Sequence, residues 1–389
     1  MNFDYADRIK KLPPYLFAEI EKITHEKKLL GIDIISLSIG DPDLPPPEIV
    51  INSIKKEASD KQNHNYSLSQ GEPFFREAVS SWCKKRFKID LTTDEVICLM
   101  GSKEGLVNIA RAFVNSGDRV LVPDPAYPVY NNSGAILNDG ISVPIPLLEE
   151  NKFLPDLEKL DPKKAKIMFL NYPNNPTSAI VDKKILRQIV DFAKENNIIL
   201  CYDNAYSEIC FDDYKAPSIL EIDGAKEVTV EFHSCSKTFN MTGDRIGFAI
   251  GNKHLLKGLA KIKSQVDSGP PVYIQKVAAI ALESYKNDEF PEFLKKNNAI
   301  YSKRRDILVS SLNSIGFTCE KPKATFYVWL NCECNSLKFA SKLLEGGVAV
   351  TPGIGFGKYG ENYVRFSLTQ PEQRIKEACN RIQYLSNKP

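Results

Sequence analysis

A lysine within a run of hydroxyl and basic residues is the strongest chemical signal in the sequence. Lys237 follows the apolar stretch Val228–His233, Ser234 and Ser236 precede it, and Arg245 stands eight positions later. Most lysines are solvated surface residues. An amine, hydroxyls and a guanidinium close together nevertheless suit a phosphorylated ligand, because arginine binds phosphate through two parallel hydrogen bonds. A lysine amine in such a site can also form a Schiff base with an aldehyde.

A glycine-bounded turn after another apolar stretch suits the same kind of ligand. The segment Gly101–Gly105 follows the strand candidate Val96–Met100, contains Ser102 and Lys103, and opens a helical pattern. Backbone N–H groups at the start of a helix bind phosphate. Short glycine motifs also occur by chance, so an ordinary strand-to-helix turn remains the alternative at this point.

Two charged residues stand where apolar strands would place them inside the protein. Asp203 closes the strand candidate Ile198–Tyr202, at the sheet edge where ligands of α/β proteins bind. A carboxylate there can keep a pyridine nitrogen protonated, or it can cap a helix. Arg365 lies between Val364 and Phe366, where an unpaired cation would be costly. A bound carboxylate or a structural salt bridge would satisfy this arginine.

These motifs together resemble a known family. The stretch Ser234-x-Ser236-Lys237, followed by Gly243-x-Arg245-Ile246-Gly247, resembles the lysine-attachment signature of class I/II aminotransferases, which are pyridoxal-phosphate enzymes of fold type I. Other pieces of the family's pattern recur in its order along almost the whole chain: Gly101–Gly105, Asp124-Pro-Ala-Tyr127, Asn171-Tyr-Pro-Asn-Asn175-Pro-Thr, Asp203-x-x-Tyr206 and Tyr363-Val-Arg365-Phe.

The resemblance implies a role for each residue of the cofactor site. Lys237 would carry pyridoxal phosphate and act as the catalytic base. Asp203 would bind the ring nitrogen, Asn175 and Tyr206 would bind the phenolic oxygen, and Tyr127 would stack on the ring. The remaining cofactor-binding residues would be Ser102, Lys103, Ser234, Ser236 and Arg245.

The same resemblance implies how substrates and a second subunit bind. Arg365, together with Asn175, would clamp the α-carboxylate of an amino acid or a 2-oxo acid. Tyr66 resembles the tyrosine that this family donates to the phosphate of the neighbouring subunit. A homodimer with a shared active site would follow, and an exposed loop tyrosine is the alternative.

Three segments resemble one branch of the family, the LL-diaminopimelate aminotransferases. They are Tyr15-Leu-Phe-Ala-Glu-Ile, Glu231-Phe-His-Ser with Asn240-Met-Thr-Gly, and Val266-Asp-Ser-Gly269. The likeness implies transamination of LL-diaminopimelate with 2-oxoglutarate, a step of lysine biosynthesis. It also implies substrate contacts at Tyr15 and Gly40.

The chain departs from this branch at three positions. Asp244 stands in place of a tryptophan, Gln265 in place of an asparagine, and Ala324 in place of a glycine. An aspartate or broad-specificity aminotransferase for aromatic and aliphatic amino acids therefore remains open. A C–S lyase on the same scaffold is a further alternative, because the cofactor supplies the chemistry and the pocket selects the bond.

Strand and helix patterns alternate through the first two thirds of the chain. Near-continuous apolar runs are typical of strands covered on both faces, and they occur at Ile34–Ile39, Val96–Met100, Arg119–Val122, Lys166–Asn171, Ile198–Tyr202, Val228–His233 and Ile246–Ile250. Helical spacing between them, as in Asp182–Asn196, predicts an α/β fold with a mostly parallel central sheet. The last third predicts α+β structure, with a final helix capped by Thr369. We therefore expect a large cofactor-binding domain at 45–275 and a smaller α+β domain formed by 1–44 and 276–389.

Length and composition exclude several other classes of protein. The chain has 389 residues and a net charge of +2, so its overall charge does not favour nucleic acid as a partner. It lacks an apolar run of ~20 residues that could span a membrane, and no glycine motif of the nicotinamide-binding type follows a strand. Nine cysteines at scattered positions predict reduced thiols rather than disulfides or a metal site. The compartment that we expect is the cytosol.

Overall fold

The computed structural model describes residues 3–14 and 16–386 as helices and strands around two separate sheets and a short strand pair. The strands are β1 Ile35–Ser36, β2 Val96–Leu99, β3 Arg119–Asp124, β4 Ile141–Pro146, β5 Ala165–Asn171, β6 Ile199–Asp203, β7 Thr229–Ser234, β8 Gly247–Gly251, β9 Tyr327–Asn331, β10 Val348–Ala349, β11 Thr351–Pro352 and β12 Tyr363–Ser367. The helices are α1 Asp7–Lys10, α2 Leu16–Leu29, α3 Glu48–Ser59, α4 Pro73–Phe87, α5 Ser102–Phe113, α6 Lys183–Glu195, α7 Cys235–Thr238, α8 Lys253–Lys263, α9 Val272–Glu283, α10 Glu292–Ser314, α11 Ser336–Glu345 and α12 Glu372–Ser386.

The central sheet has seven strands in the order β2-β8-β7-β6-β5-β3-β4. Five of them, from β7 to β4, run parallel to their neighbours, whereas β8 is antiparallel to both β7 and β2. The prediction of a mostly parallel central sheet is confirmed. Strand β4 was not predicted, because Pro144 and Pro146 interrupt its apolar pattern. It lies at the edge of the sheet, where a proline can replace a residue whose N–H group would otherwise face solvent.

Helices cover both faces of this sheet. Along β5, Met168 and Leu170 belong to one hydrophobic cluster, while Ile167 and Phe169 belong to the cluster on the opposite face. This alternation explains why the strand reads as a continuous apolar run. The predicted helix after β5 is α6, and the side chain of Asp182 caps it by accepting a hydrogen bond from the backbone of Ile185 at 2.9 Å.

The C-terminal part forms a second layer with its own core. Strands β11, β12 and β9 make an antiparallel sheet, and β1 pairs in parallel with β10. The N-terminal segment therefore lies outside the seven-stranded sheet, as the proline-rich stretch Asp41–Pro47 predicts. The division into domains at 44/45 and 275/276 stays a prediction. Helix α9 runs across residue 275 and packs on α3 and α4 of the larger part.

Two local predictions are corrected by hydrogen bonding. Thr369 does not cap the last helix, which begins at Glu372 after Pro371; its hydroxyl donates instead to the carbonyl oxygen of Ile39 at 2.9 Å. The predicted strand at Val348–Thr351 is divided between β10 and β11, which belong to different sheets. In both places a contact with the N-terminal segment overrides the local pattern.

Candidate active site

The carboxyl ends of three adjacent parallel strands define the site. Asn171, Asp203 and Ser234 are the last residues of β5, β6 and β7, and all three line a cavity of about 400 Å³. Ligands of α/β sheets bind at this edge, because helix N-termini and loop side chains converge there. The C-terminal layer closes the cavity with Tyr327 and Arg365.

Most of the predicted site residues meet in this cavity. Twelve line it: Gly40, Ser102, Lys103, Tyr127, Asn175, Asp203, Tyr206, Ser234, Ser236, Lys237, Arg245 and Arg365. Tyr66 does not, and its side chain is 93% exposed. Tyr15 lies outside the described residues. The role that each residue has toward a cofactor or a substrate stays a prediction.

Lys237 is half-buried in the short helix α7, directly after β7. Its Nζ donates a hydrogen bond to the carbonyl oxygen of Gly40 at 2.8 Å. Burial lowers the pKa of this amine from 10.5 to about 8, and the positive charges of Arg365 and Arg245 lower it further, while Asp41 opposes the shift. An amine with this pKa is partly neutral near physiological pH, so it can act as a nucleophile or a base.

Arg245 and the start of α5 lie beside each other in the cavity. Arg245 donates from Nη1 to the carbonyl oxygen of Thr242 at 2.8 Å and from Nη2 to that of Met100 at 3.4 Å. Gly101 has a φ of +81°, and a Cβ there would lie 2.6 Å from Arg245 Nη2. Burial and the charge of Arg245 lower the pKa of Lys103. Glycine thus lets a guanidinium and the start of α5 approach each other, and such a cradle of positive charge and N–H groups suits a phosphate group.

The same cavity also holds a buried carboxylate. Asp203 accepts a hydrogen bond from the hydroxyl of Tyr130 at 2.7 Å, and Asn171 donates to its carbonyl oxygen at 2.7 Å. Burial raises the pKa of Asp203 from 3.8 to about 6, although the hydrogen bond from Tyr130 lowers it. Sequence reasoning missed Tyr130, whose ring stacks on Phe169 with centroids 5.4 Å apart. Its position three residues after Tyr127 was the available signal.

Arg365 is held between aromatic rings beside a polar amide. Its Nη1 donates to Asn175 Oδ1 and its Nη2 to the carbonyl oxygen of Ser38, both at 2.7 Å. The guanidinium carbon lies 4.1 Å from the ring centroid of Tyr327 and 4.8 Å from that of Phe356. These contacts fix the plane of the guanidinium, which a carboxylate could then meet through two hydrogen bonds.

Tyr327 is a second residue that sequence reasoning missed. Its hydroxyl lies 3.1 Å from that of Tyr206, and a Cβ on Gly40 would come within 1.8 Å of the Tyr327 hydroxyl oxygen. Gly40 is therefore required by the close approach of a tyrosine from the other layer. The sequence around residue 327 does not predict this contact, because the contact depends on how the two sheets pack together.

The donor set fits pyridoxal phosphate. The phosphate cradle at Gly101 and Arg245 and the carboxylate of Asp203 suit the two polar ends of this cofactor, and Lys237 supplies an amine for its aldehyde. In residues 3–14 and 16–386, no three His, Cys, Asp or Glu side chains form a possible metal site. Within the same ranges, none of the helices is long and apolar enough to cross a membrane.

Comparison with known families defines the class of this protein. The family model described as aminotransferase class I and II matches residues 32–382, and the chain belongs to this family of pyridoxal-phosphate-dependent enzymes. The predicted class of enzyme is confirmed. Similar proteins include the LL-diaminopimelate aminotransferases of Desulforudis audaxviator (strain MP104C), 46% identical over 98% of both chains, and of Aquifex aeolicus (strain VF5), 47% identical over 98% of this chain and 99% of the other.

Solved structures confirm the fold-type I architecture. A double mutant of Thermus thermophilus aspartate aminotransferase matches with a TM-score of 0.92 at 27% identity, covering 99% of this chain and 100% of that one. Substrate-bound BacF from Bacillus subtilis matches with a TM-score of 0.92 at 37% identity, covering 99% and 98%.

Proposed function

We propose that this enzyme transfers an amino group from LL-diaminopimelate to 2-oxoglutarate, with pyridoxal phosphate held at Lys237. The observation that carries the proposal is the single cavity that contains Lys237, Asp203 and Arg365. The identity of 46–47% to LL-diaminopimelate aminotransferases, over nearly the full length of both chains, supports the choice of substrate.

The cofactor contributes the chemistry that side chains lack. Pyridoxal phosphate, when bound, serves as a sink for the electron pair left when the substrate Cα loses its proton. Arg245 and the hydroxyls of Ser102, Ser234 and Ser236 would hold its phosphate, and the Asp203 carboxylate would hold the proton on its ring nitrogen. Tyr130 keeps that carboxylate oriented through its 2.7 Å hydrogen bond.

Lys237 is the residue that moves the proton. Its Nζ takes the proton from the substrate Cα as a general base, and the resulting ammonium returns a proton as a general acid. The lowered pKa of about 8 suits both roles, because a pKa closer to neutrality lets the amine accept and return a proton more readily than an ordinary lysine. In the cofactor-free chain, the carbonyl oxygen of Gly40 holds this amine inside the cavity.

Arg365 orients the amino acid for this transfer. A substrate α-carboxylate would bind the guanidinium fork, whose plane the rings of Tyr327 and Phe356 fix. With the carboxylate held, the Cα proton can be directed toward Lys237. Binding energy is thereby used to position the bond that breaks.

The proposed assembly is a homodimer in which Tyr66 completes the site of the neighbouring subunit. Its support is the outward position of this tyrosine, 93% exposed and outside the cavity of its own chain. The cytosol is the proposed compartment. All nine cysteines are free thiols in the structure and eight of them are buried, which suits a reducing environment.

Parallel half-reactions would test the substrate. The purified holoenzyme is mixed with LL-diaminopimelate, aspartate, glutamate or an aromatic amino acid, and the change in cofactor absorbance is followed without an acceptor. We expect the fastest conversion with LL-diaminopimelate and release of an oxo acid. Fast conversion of aspartate with none of diaminopimelate would replace the substrate but keep the transaminase. Release of ammonia or sulfide would indicate a lyase instead.

A labelling experiment would test the lysine. Borohydride reduction of the holoenzyme should fix the cofactor to the peptide that contains Lys237, and Lys237→Ala should lose both the visible absorbance and the label. A label on Lys103 or Lys261 would show that the proposed site is wrong.

A further inference from the structure

A fully buried lysine outside the cavity has two carboxylate partners. Lys263, the last residue of α8, is 0% exposed, and its Nζ lies 2.9 Å from Glu104 Oε2 and 2.6 Å from Asp267 Oδ1. Removing an ammonium from water is costly unless it is paired and hydrogen-bonded. This buried charge cluster does not line the cavity, but Glu104 and Asp267 connect it to two segments near the proposed phosphate sites.

Glu104 connects Lys263 to the start of α5. The carboxylate stands in the first turn of this helix, and its Oε2 also accepts a hydrogen bond from the backbone N–H of Met100 at 3.2 Å. Lys263 thus braces the turn from Met100 to Glu104. Gly101, Ser102 and Lys103 of this turn line the cavity beside Arg245.

Asp267 connects Lys263 to a different loop. Its Oδ1 accepts a hydrogen bond from the N–H of Gly269 at 2.7 Å. Gly269 has a φ of +83°, and a Cβ there would lie 2.8 Å from Ser67 Oγ and 2.9 Å from the carbonyl oxygen of Leu68. The Ser67 hydroxyl lies 2.7 Å from the carbonyl oxygen of Ser268, to which it can donate. Tyr66 directly precedes Ser67 in the chain.

We infer that Lys263 is a positioning residue for two phosphate-binding elements at once. Through Glu104 it holds the start of α5 for the phosphate in its own subunit, and through Asp267 it holds the Tyr66 loop for the phosphate in the neighbouring subunit. The inference rests on the proposed function, since it requires both pyridoxal phosphate and a shared dimer site. Loss of Lys263 must then weaken cofactor binding in both subunits of a dimer.

Hybrid dimers separate the two effects. Subunits with different affinity tags are co-expressed, the hybrid is purified, and the dissociation constant of pyridoxal phosphate for the apoenzyme is measured from the visible absorbance of the lysine-bound cofactor. Placing Lys237→Ala in one subunit leaves a single site to observe. In the trans arm, Lys263→Met and Lys237→Ala are in the same subunit, so the observed site belongs to the partner. In the cis arm, Lys263→Met is in the subunit that keeps Lys237 and therefore contains the observed site.

Both arms should show at least a tenfold higher dissociation constant than the Lys237→Ala and wild-type hybrid, since loss of one hydrogen bond to a charged phosphate lowers affinity by about tenfold or more. Lys263→Arg should restore most of the affinity in both arms, because its fork can reach both carboxylates. Ser67→Ala is the matched control. It releases only the Tyr66 loop, so it should weaken the trans arm and leave the cis arm unchanged.

The inference is overturned if Lys263→Met weakens cofactor binding in only one arm or in neither. It is also overturned if Lys263→Arg folds with an unchanged melting temperature but binds pyridoxal phosphate no better than Lys263→Met. Should Lys263→Met fail to fold, Asp267→Asn carries the trans prediction and Glu104→Gln the cis prediction. Failure of the proposed function looks different: the control hybrid would bind no cofactor, or only monomers would be isolated.

Discussion

The carboxyl group of Asp203 links the chemistry of the site to the stability of the fold. Because burial raises its pKa from 3.8 to about 6, the folded cofactor-free chain holds this proton more tightly than the unfolded chain. The free energy of unfolding should therefore fall as the pH rises from about 4 to about 6, and the loss should persist at higher pH. A shift of about 2 pKa units corresponds to about 3 kcal/mol.

Asp203→Asn should remove this pH dependence. We expect the cofactor-free variant to be more stable than the wild type at pH 8, by up to about 3 kcal/mol in urea unfolding, and to lose transaminase activity. An amide oxygen can still accept the hydrogen bond from Tyr130. Tyr130→Phe is the opposite control, because the hydrogen bond lowers the pKa of Asp203 and its loss should extend the pH-dependent decline to higher pH. Identical pH profiles for wild type and Asp203→Asn would contradict the assignment of this shift.

Arg365→Lys should cost far more than a charge-conserving substitution suggests. A lysine cannot present a planar fork to a carboxylate or stack between Tyr327 and Phe356. We expect kcat/KM to fall by an amount equivalent to about 2–5 kcal/mol, while the affinity for pyridoxal phosphate is kept. Arg374→Lys is the matched control, because Arg374 donates two hydrogen bonds to the carboxylate of Asp33 at the surface. Equal kinetics for both variants would rule out the carboxylate clamp.

At the residue scale, the sequence predicted the groups that stand in recognisable motifs and missed the groups that act through tertiary contact. Lys237, Asp203 and Arg365 were predicted because each follows or interrupts an apolar strand, where a charge needs a partner. Tyr130 and Tyr327 read as ordinary core aromatics, which is the commoner fate of tyrosine. Their hydroxyls matter only because Asp203 and Tyr206 lie 2.7 and 3.1 Å away.

Among the elements, the start of α5 depends most on one residue. Gly101 combines a φ of +81° with a Cβ position 2.6 Å from Arg245 Nη2. Gly101→Ala should therefore displace the guanidinium and raise the dissociation constant for pyridoxal phosphate by about tenfold or more, with KM for the amino donor changed less.

Gly243→Ala provides the comparison for this substitution. Gly243 lies two residues before Arg245, with no other atom within 4 Å of the added Cβ and no positive φ. The affinity of the Gly243→Ala variant for the cofactor should stay within about twofold of the wild-type affinity, because no atom near the site has to move. An equal loss of cofactor affinity in both variants would contradict the specific role of Gly101. Unchanged affinity in both variants would mean that the phosphate binds elsewhere.

The predicted strands of the central sheet agree with the observed ones because burial on both faces leaves a strong pattern. Strand β5 was predicted at Lys166–Asn171 and lies at Ala165–Asn171. Agreement is poorer outside the central sheet, where strand pairing is short. Strand β1 covers only two of the six predicted residues, since the chain leaves the pairing with β10 after Ser36. Further along, the carbonyl oxygens of Ser38, Ile39 and Gly40 accept side-chain hydrogen bonds instead.

In the whole molecule, the N-terminal segment joins the two layers across the cavity. Ser38 accepts hydrogen bonds at its carbonyl oxygen from Arg365 at 2.7 Å and from Thr351 at 2.8 Å, and Gly40 accepts one from Lys237. These partners lie about 200 to 330 residues away along the chain, so no local pattern could predict them. Resemblance to the family predicted Gly40, Lys237 and Arg365 as residues of one site. It did not predict Ser38 or Thr351, whose contacts required the structure.

The largest-scale prediction concerns the second subunit. Tyr66 is 93% exposed and does not line the cavity of its own chain. In the proposed dimer, Tyr66→Phe should weaken the phosphate site of the neighbouring subunit. Equal amounts of Lys237→Ala and Tyr66→Phe protein are dissociated and reassociated at random. Half of the dimers are then hybrids, and each hybrid has one fully wild-type site, formed by Lys237 of one subunit and Tyr66 of the other. The hybrids should contribute about a quarter of the wild-type activity per chain, because a two-fold dimer exchanges the same pair of loops. The Tyr66→Phe homodimers add about a quarter of the activity of that variant. If each chain used its own Tyr66, mixing would only dilute the Tyr66→Phe enzyme, and activity would fall to half of its starting value.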